Sequence, residues 1–116
     1  WAVWQPHTFS RTRLLADEFA DSFSAADRVI ALDIYRSREA EDTSGGHQPI
    51  TTADVIGRMS HPPAIHIPDR RAAADYLLER VSPGDVILTL GAGDGDMVGR
   101  WLLEALEQQR GVASGY

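Results

Sequence analysis

Short apolar runs alternate along this chain with longer segments whose apolar residues recur at helical spacing. Four runs are rich in apolar or β-branched residues and short enough for strands: 2–5, 28–34, 64–67 and 86–90. Segments with the period of amphipathic helices follow them, the last at 97–109. Strands that alternate with helices in this way form right-handed crossover units. The sequence therefore predicts an α/β fold in three layers, with a mostly parallel sheet between helices on both faces, as in Rossmann-like domains.

Capping residues mark where the predicted helices begin. Ser10 or Thr8 is suited to cap the first helix, and Asp69 a later one, because their side-chain oxygens can accept a free backbone N–H. Thr51 and Asp54 have the spacing of a capping box, with Asp in place of Glu. The first helix is expected to bury four apolar residues: Leu14, Leu15, Phe19 and Phe23.

The fourth apolar run leads into the glycine-rich turn around which the chain is organised. Residues 86–90 are continuously apolar or β-branched, so we expect a strand that is buried on both faces. Gly91, Gly93 and Gly95 follow, and glycine allows positive φ and close approach of other backbone. Ligands of open α/β sheets bind outside the carboxyl ends of the strands. We therefore expect the ligand side of the domain near residues 91–96, which we call the glycine turn.

Composition and charge narrow the class of protein. The 116 residues, 43% hydrophobic and 24% charged, suffice for one domain with its own core. A net charge of −6 argues against sequence-independent binding of nucleic acid, which needs a basic face. The chain has no cysteine, no apolar run long enough for a membrane and no signal-peptide pattern, which together favour a cytoplasmic protein. Because it opens at Trp1, inside a predicted strand, we expect residues 1–116 to be a piece of a longer polypeptide.

The glycine turn permits several interpretations. It departs from the dinucleotide fingerprint, because Asp96 stands where the third glycine would be. It is not a Walker loop, because no Gly-Lys-Ser/Thr follows. Leu-Gly-Ala-Gly-Asp-Gly at 90–95 resembles the S-adenosylmethionine loop of class I methyltransferases, although Thr89 stands where that family usually has an acidic residue. A tight strand-to-helix turn without a ligand is the remaining alternative.

A second candidate site follows the first predicted strand. His7, Arg11 and Arg13 lie there with several hydroxyl side chains, near the start of a helix. A guanidinium binds carboxylate or phosphate through two parallel hydrogen bonds, and a helix N-terminus adds partial positive charge. Residues two apart on a helix face different ways, so one ligand does not easily contact both arginines. We expect His7 and Arg11 to contact an anion and Arg13 to be solvated.

The other titratable residues indicate no further site. His47, His61 and His66 do not have the spacing of metal ligands, so no metal site is predicted. Asp33 ends the second predicted strand, where a ligand contact and a solvated carboxylate are both open. The polar segment 35–48 is long for a connection between a strand and a helix, and such segments are commonly functional or mobile.

Three segments resemble motifs of the Mur ligases. Residues 4–13, Trp-Gln-Pro-His-Thr-Phe-Ser-Arg-Thr-Arg, are similar to the family's Q-P-H-x-[YF]-[ST]-R-T. Residues 33–39, Asp-Ile-Tyr-Arg-Ser-Arg-Glu, are similar to its D-[IV]-Y-x-A-R-E, and residues 88–94 to its L-T-x-G-A-G. The three segments stand in the family's order and span most of the chain.

The resemblance implies an ATP-dependent ligase that forms an amide bond in peptidoglycan synthesis, and so a role in cell-wall biogenesis, cell shape and cell division. Residues 1–116 would be its C-terminal domain, inactive alone and lacking the domain's first segment and the central ATP-binding domain. The implied substrates are UDP-N-acetylmuramate and L-alanine, although ligases that recycle murein tripeptide share these motifs. The implied cofactors are ATP and Mg²⁺, bound mainly by domains absent from this chain.

The resemblance also implies roles for individual residues. His7 and Arg11 match positions that face the reacting carboxylates. Thr8 stands where many members have a second arginine. Four residues match the turn that closes over the amino acid, where the last is Ser or Asn in many members: Gly91, Ala92, Gly93 and Asp94.

Two other functions fit parts of the sequence, a fragment of an S-adenosylmethionine-binding methyltransferase and a non-catalytic binding module with the same fold. The ligase interpretation requires a particular geometry that the other two functions do not require. The turn with His7 and Arg11 and the glycine turn must emerge at one edge of the sheet, as half of a pocket for negatively charged reactants.

Overall fold

A four-stranded parallel sheet forms the centre of the molecule. The structure, a computed structural model, describes residues 1–35, 50–91 and 93–113. The strands, in the spatial order β3-β2-β1-β4, are β1 (Ala2–Gln5), β2 (Val29–Ala31), β3 (Ala64–His66) and β4 (Leu88–Gly91). The helices are α1 (Phe9–Leu14), α2 (Ala16–Asp21), α3 (Thr52–Ile56), α4 (Arg70–Leu78) and α5 (Met97–Ala113). The strand pairs are parallel, which confirms the predicted fold class.

Successive side chains of the strands point to opposite faces of the sheet and form two cores. On one face, Trp4 and Ala31 pack with Ala20 of α2 and Val55 of α3. On the other face, the core is built by β1, β2, α4 and α5, and its fully or almost fully buried members include Val3, Ile30, Leu77 and Val98. Helices therefore cover both faces, so the three predicted layers are present.

The first predicted helix is two short helices, and the prediction that Leu14 is buried is wrong. The break is at Leu15, between α1 and α2. Phe23 is buried and Phe19 packs at the edge of the same core, but Leu14 is 81% exposed. The cause lies in α1, where Thr12 is fully buried, because a residue two positions further on a helix points away from it.

The prediction that residues 86–90 are buried on both faces is also wrong. Leu88 and Leu90 are 56% and 40% exposed. They pair with Ala2 and Trp4 and share their face of the sheet. On that face the described helices α2 and α3 pack with β1, β2 and β3, and β4 lies at the end of the sheet order. An apolar run indicates a strand, but its place in the sheet decides how much of it is covered.

The predicted caps are confirmed, and each involves residues close in sequence. Thr8 caps α1, whereas Ser10 lies inside that helix. The capping box is complete, since Thr51 Oγ1 accepts from Asp54 N and Asp54 Oδ2 accepts from Thr51 N. Asp69 Oδ2 accepts from Ala72 N at 2.9 Å and so caps α4.

Candidate functional site

Two strand ends meet where the path of the chain across the sheet changes direction. The chain moves one way from β1 through β2 to β3, and then returns to the other side of β1 with β4. At such a point an open α/β sheet leaves a crevice for ligands outside the carboxyl ends of its strands. Gln5, the last residue of β1, pairs with Gly91, the last residue of β4. The turn with His7 and the glycine turn therefore leave the sheet side by side.

An open groove of about 600 Å³ lies at this edge. Seven residues line it: Trp4, Gln5, His7, Arg11, Leu15, Phe19 and Gly91. A larger groove of about 750 Å³ lies near the opposite ends of β1 and β4, where Trp1 and Val86 line it. The smaller groove is the candidate ligand site, because ligands of parallel α/β sheets bind at the carboxyl ends and because both predicted turns contribute to it.

Arg11 supplies a cation to this groove. Its side chain is exposed, and among the described residues its guanidinium has no ion-pair partner. Its backbone N–H donates to Thr8 Oγ1 at 3.3 Å, which orients the first turn of α1. Because α1 has only six residues, its dipole adds less positive charge than a long helix would. The positive charge at this turn therefore comes mainly from the guanidinium itself.

Tyr35 connects the two turns. Its ring stacks on His7, with the centroids 5.7 Å apart and the planes inclined by 19°. Its backbone N–H donates to Pro6 O at 2.8 Å, and its backbone oxygen accepts from Thr8 N at 2.7 Å. Gly93 lies against the same ring, since a Cβ on this glycine would be 2.7 Å from Tyr35 Cδ2. The sequence interpretation did not select Tyr35 as a site residue, although one of its three motifs contains it.

Two glycines of the turn are required by their surroundings. Gly91 has a φ of 129°, and a Cβ there would be 2.4 Å from the backbone oxygen of Gln5. Gly93 has a φ of 84°, which side chains rarely tolerate. Ala92, also predicted to bind substrate, lies outside the described residues.

Asp94 has a protein partner that the sequence did not suggest. Its Oδ2 is 2.9 Å from Nη1 of Arg70, in the first turn of α4. The Asp94 side chain is 71% exposed, and exposed ion pairs of this kind contribute only about 0–1 kcal/mol. The pair therefore restrains the glycine turn weakly and leaves the carboxylate accessible.

A second unpredicted pair lies at the neighbouring strand ends. His66 Nε2 is 2.7 Å from Asp33 Oδ1, so Asp33 is not simply solvated. This pair was not predicted from the sequence, because the two residues are far apart in the chain. The pairing of β2 with β3 brings them together. His47 and the polar segment predicted to be functional or mobile lie outside the described residues, apart from Tyr35.

The chemistry that the groove offers is that of a cation and an imidazole. Arg11 and His7 suit the oxygens of carboxylates and phosphates. In the described ranges, no group of three or more His, Cys, Asp or Glu side chains is placed to hold a metal ion. Within the same ranges, no helix is long and apolar enough to span a membrane.

Comparisons with known proteins include the residues of both turns. A family model described as "Mur ligase, glutamate ligase domain" matches residues 1–93. The chain is 43% identical over 104 residues to a protein of Acetivibrio thermocellus named UDP-N-acetylmuramate–L-alanine ligase. It is 41% identical over 105 residues to proteins of the same name from Thermobifida fusca and Mycolicibacterium vanbaalenii. Each match covers 90% of this chain but only 22%, 21% and 21% of the respective relative, so the chain spans about a fifth of their length.

Proposed function

Because the chain belongs to the Mur ligase family, we propose that it is the substrate-binding C-terminal domain of an ATP-dependent ligase of peptidoglycan synthesis. The family match agrees with the resemblance of the three motifs, and it does not favour a methyltransferase. L-alanine and UDP-N-acetylmuramate are the proposed substrates, because they appear in the names of the relatives. The single observation that carries the proposal is the pairing of Gln5 with Gly91, which sets the two turns side by side.

The reaction of such a ligase has two steps. The muramyl carboxylate is phosphorylated by ATP, which gives an acyl phosphate and ADP. The amine nitrogen of L-alanine then attacks the acyl carbon, the carbon–oxygen bond to the phosphate breaks, and phosphate leaves with the bonding electrons. The amine loses a proton and an amide remains. Both the carboxylate and the acyl phosphate are anions, which a positively charged groove stabilises.

In this proposal Arg11 binds the carboxylate and then the acyl phosphate, because a guanidinium stays charged and offers paired donors. His7 contacts the same reactants from its position against the Tyr35 ring. Residues 91–94 of the glycine turn close over the amino acid. Closure against the other domains would exclude water, which otherwise hydrolyses an acyl phosphate.

ATP and Mg²⁺ belong mainly to other domains in this proposal. The sequence has no Gly-Lys-Ser/Thr loop, and the described residues do not include a cluster of metal ligands. No step assigned to this chain therefore runs through Mg²⁺. The cytoplasmic location expected from the sequence is part of the same proposal.

The test is Arg11→Ala in the intact ligase. Loss of a charged hydrogen-bonding partner should lower kcat/KM for amide formation by roughly 10- to 150-fold while the fold is retained. Phosphate release with ATP, UDP-N-acetylmuramate and L-alanine measures the rate, and circular dichroism checks the fold.

The matched control is Arg110→Ala, in the last turn of α5, which should leave the rate unchanged. Wild-type turnover in the Arg11 variant would contradict the proposed role. A wild-type enzyme that forms no amide from these substrates would contradict the function itself.

A further inference from the structure

Gln5 is buried beneath the glycine turn. It is 8% exposed, and its side chain leaves β1 on the face that carries Val3, where α5 also packs. Its Nε2 donates to the backbone oxygen of Asp33 at 3.5 Å, a long hydrogen bond. A Cβ on Gly95 would be 3.2 Å from Gln5 Oε1 and 3.4 Å from Gln5 Cβ. The amide thus occupies the space between the end of the sheet and the turn that precedes α5.

In this arrangement the amide oxygen of Gln5 has no hydrogen-bond donor among the described residues. Oε1 is buried and accepts no hydrogen bond within the described residues. An apolar side chain of the same length would fill this space without the free-energy cost of an unpaired buried acceptor. A polar group here is therefore explained best by a second arrangement in which the oxygen finds a donor.

The turn approaches this oxygen closely, since a Cβ on Gly95 would be 3.2 Å from Oε1. α5 is a 17-residue helix, and the first N–H groups of a helix have no partner inside it. The first hydrogen bonds at its start run from Met97 N to Asp94 O and from Val98 N to Gly95 O. The N–H groups of Gly95 and Asp96 precede these donors. Gly95 has no side chain that would keep its backbone away from Oε1.

We propose that Gln5 is a positioning residue for the glycine turn. When the amino acid binds, residues 93–96 move toward Oε1, which accepts a backbone N–H from residues 95–96 and so fixes them over the ligand. Within the described ranges, the exposed Arg70–Asp94 ion pair links the turn to α4, and a pair of this kind resists movement weakly. This inference rests on the proposed function, because it takes the amino acid as the ligand of the turn.

The test uses the intact ligase with Gln5→Met and Gln5→Glu. Methionine keeps the length of the side chain but removes the acceptor, so KM for L-alanine should rise roughly three- to tenfold, whereas kcat and KM for UDP-N-acetylmuramate stay near the wild-type values. Glutamate keeps an acceptor oxygen but sets its other oxygen against the backbone oxygen of Asp33, so Gln5→Glu should lower the free energy of unfolding and, in the folded enzyme, keep KM for L-alanine closer to the wild-type value than Gln5→Met does. Gln108→Met, on an exposed position of α5, is the control and should change nothing.

Hydrogen exchange gives a readout that a purely structural role would not change. Addition of L-alanine should slow exchange of the amides at 95–96 in the wild-type enzyme and leave it unchanged in Gln5→Met. Equal slowing in both proteins, or a parallel loss of all kinetic parameters in Gln5→Met, would overturn the inference. Absence of amide formation by the wild-type enzyme would instead refute the proposed function on which it rests.

Discussion

At Gly93 the missing side chain decides how closely the glycine turn approaches Tyr35. The ring of Tyr35 is already stacked on His7, so it cannot easily retreat from a new group on that side. One aromatic ring thereby sets the separation between the residue that we expect to bind the anion and the turn that we expect to close over the amino acid. The positive φ of Gly93 adds a second, purely conformational reason for glycine at this position.

The variant Gly93→Ala tests this contact. Its Cβ would meet Tyr35 at 2.7 Å and would also occupy a φ of 84°, so we expect a loss of about 2–4 kcal/mol in the free energy of unfolding, measured in urea. Gly84→Ala is the matched control, because Gly84 has a φ of 92° but no atom within 4 Å of the added Cβ, so only the conformational cost of about 1–2 kcal/mol applies. Equal losses in the two variants would show that the contact with Tyr35 is unimportant.

At the scale of elements, helices and strands differ in what their apolar pattern reveals. The apolar stripe predicted for the last helix is confirmed, since Val98 and Leu102 are buried against α4 and the sheet. A helical stripe marks which side is covered, because its polar side is visible in the same sequence. A continuously apolar strand has no such polar side, and this is why the exposure of Leu88 and Leu90 was not foreseen.

Adjacent leucines on α5 provide the corresponding prediction. Leu102 is 3% exposed and Leu103 is 63% exposed. Leu102→Ala should therefore lower the free energy of unfolding by about 2–5 kcal/mol, because it leaves a cavity between α4, α5 and the sheet. Leu103→Ala should change it by less than about 0.5 kcal/mol. Thermal unfolding of both variants makes the comparison, and similar losses would mean that α5 packs with a different face.

At the scale of the whole molecule, the sheet order β3-β2-β1-β4 creates the candidate site. It places the ends of β1 and β4 together although most of the chain separates them in sequence. The same order pairs β2 with β3, which is how Asp33 and His66 meet. A groove assembled in this way presents charge to a ligand, but its own residues supply no phosphate loop.

The isolated chain should therefore be folded but inactive. Residues 1–116, mixed with ATP, Mg²⁺, UDP-N-acetylmuramate and L-alanine, should release no phosphate above background, whereas the intact ligase should turn over under the same conditions. Circular dichroism with an α/β spectrum and a cooperative thermal transition would show that the isolated chain is folded. Phosphate release by the isolated chain would contradict the assignment of ATP to other domains.

The sequence by itself determined several features that depend on residues a few positions apart. The cap formed by Thr8, the capping box of Thr51 and Asp54 and the helical stripe of α5 are local, because each joins groups within one or two turns of chain. The alternation of strands and helices was equally readable, because crossover connections permit few topologies. The three motifs were enough to indicate the family, which the comparisons confirm.

Tertiary structure alone decided which distant residues meet and which apolar faces remain uncovered. Arg70 was not identifiable as the partner of Asp94, nor Tyr35 as the ring between His7 and Gly93, because the sheet order brings each set together. The exposure of β4 has the same origin, since burial is a property of neighbours and not of a strand's own residues. Caps and helical stripes depend on short stretches of sequence, whereas contacts between distant residues depend on how the whole chain packs.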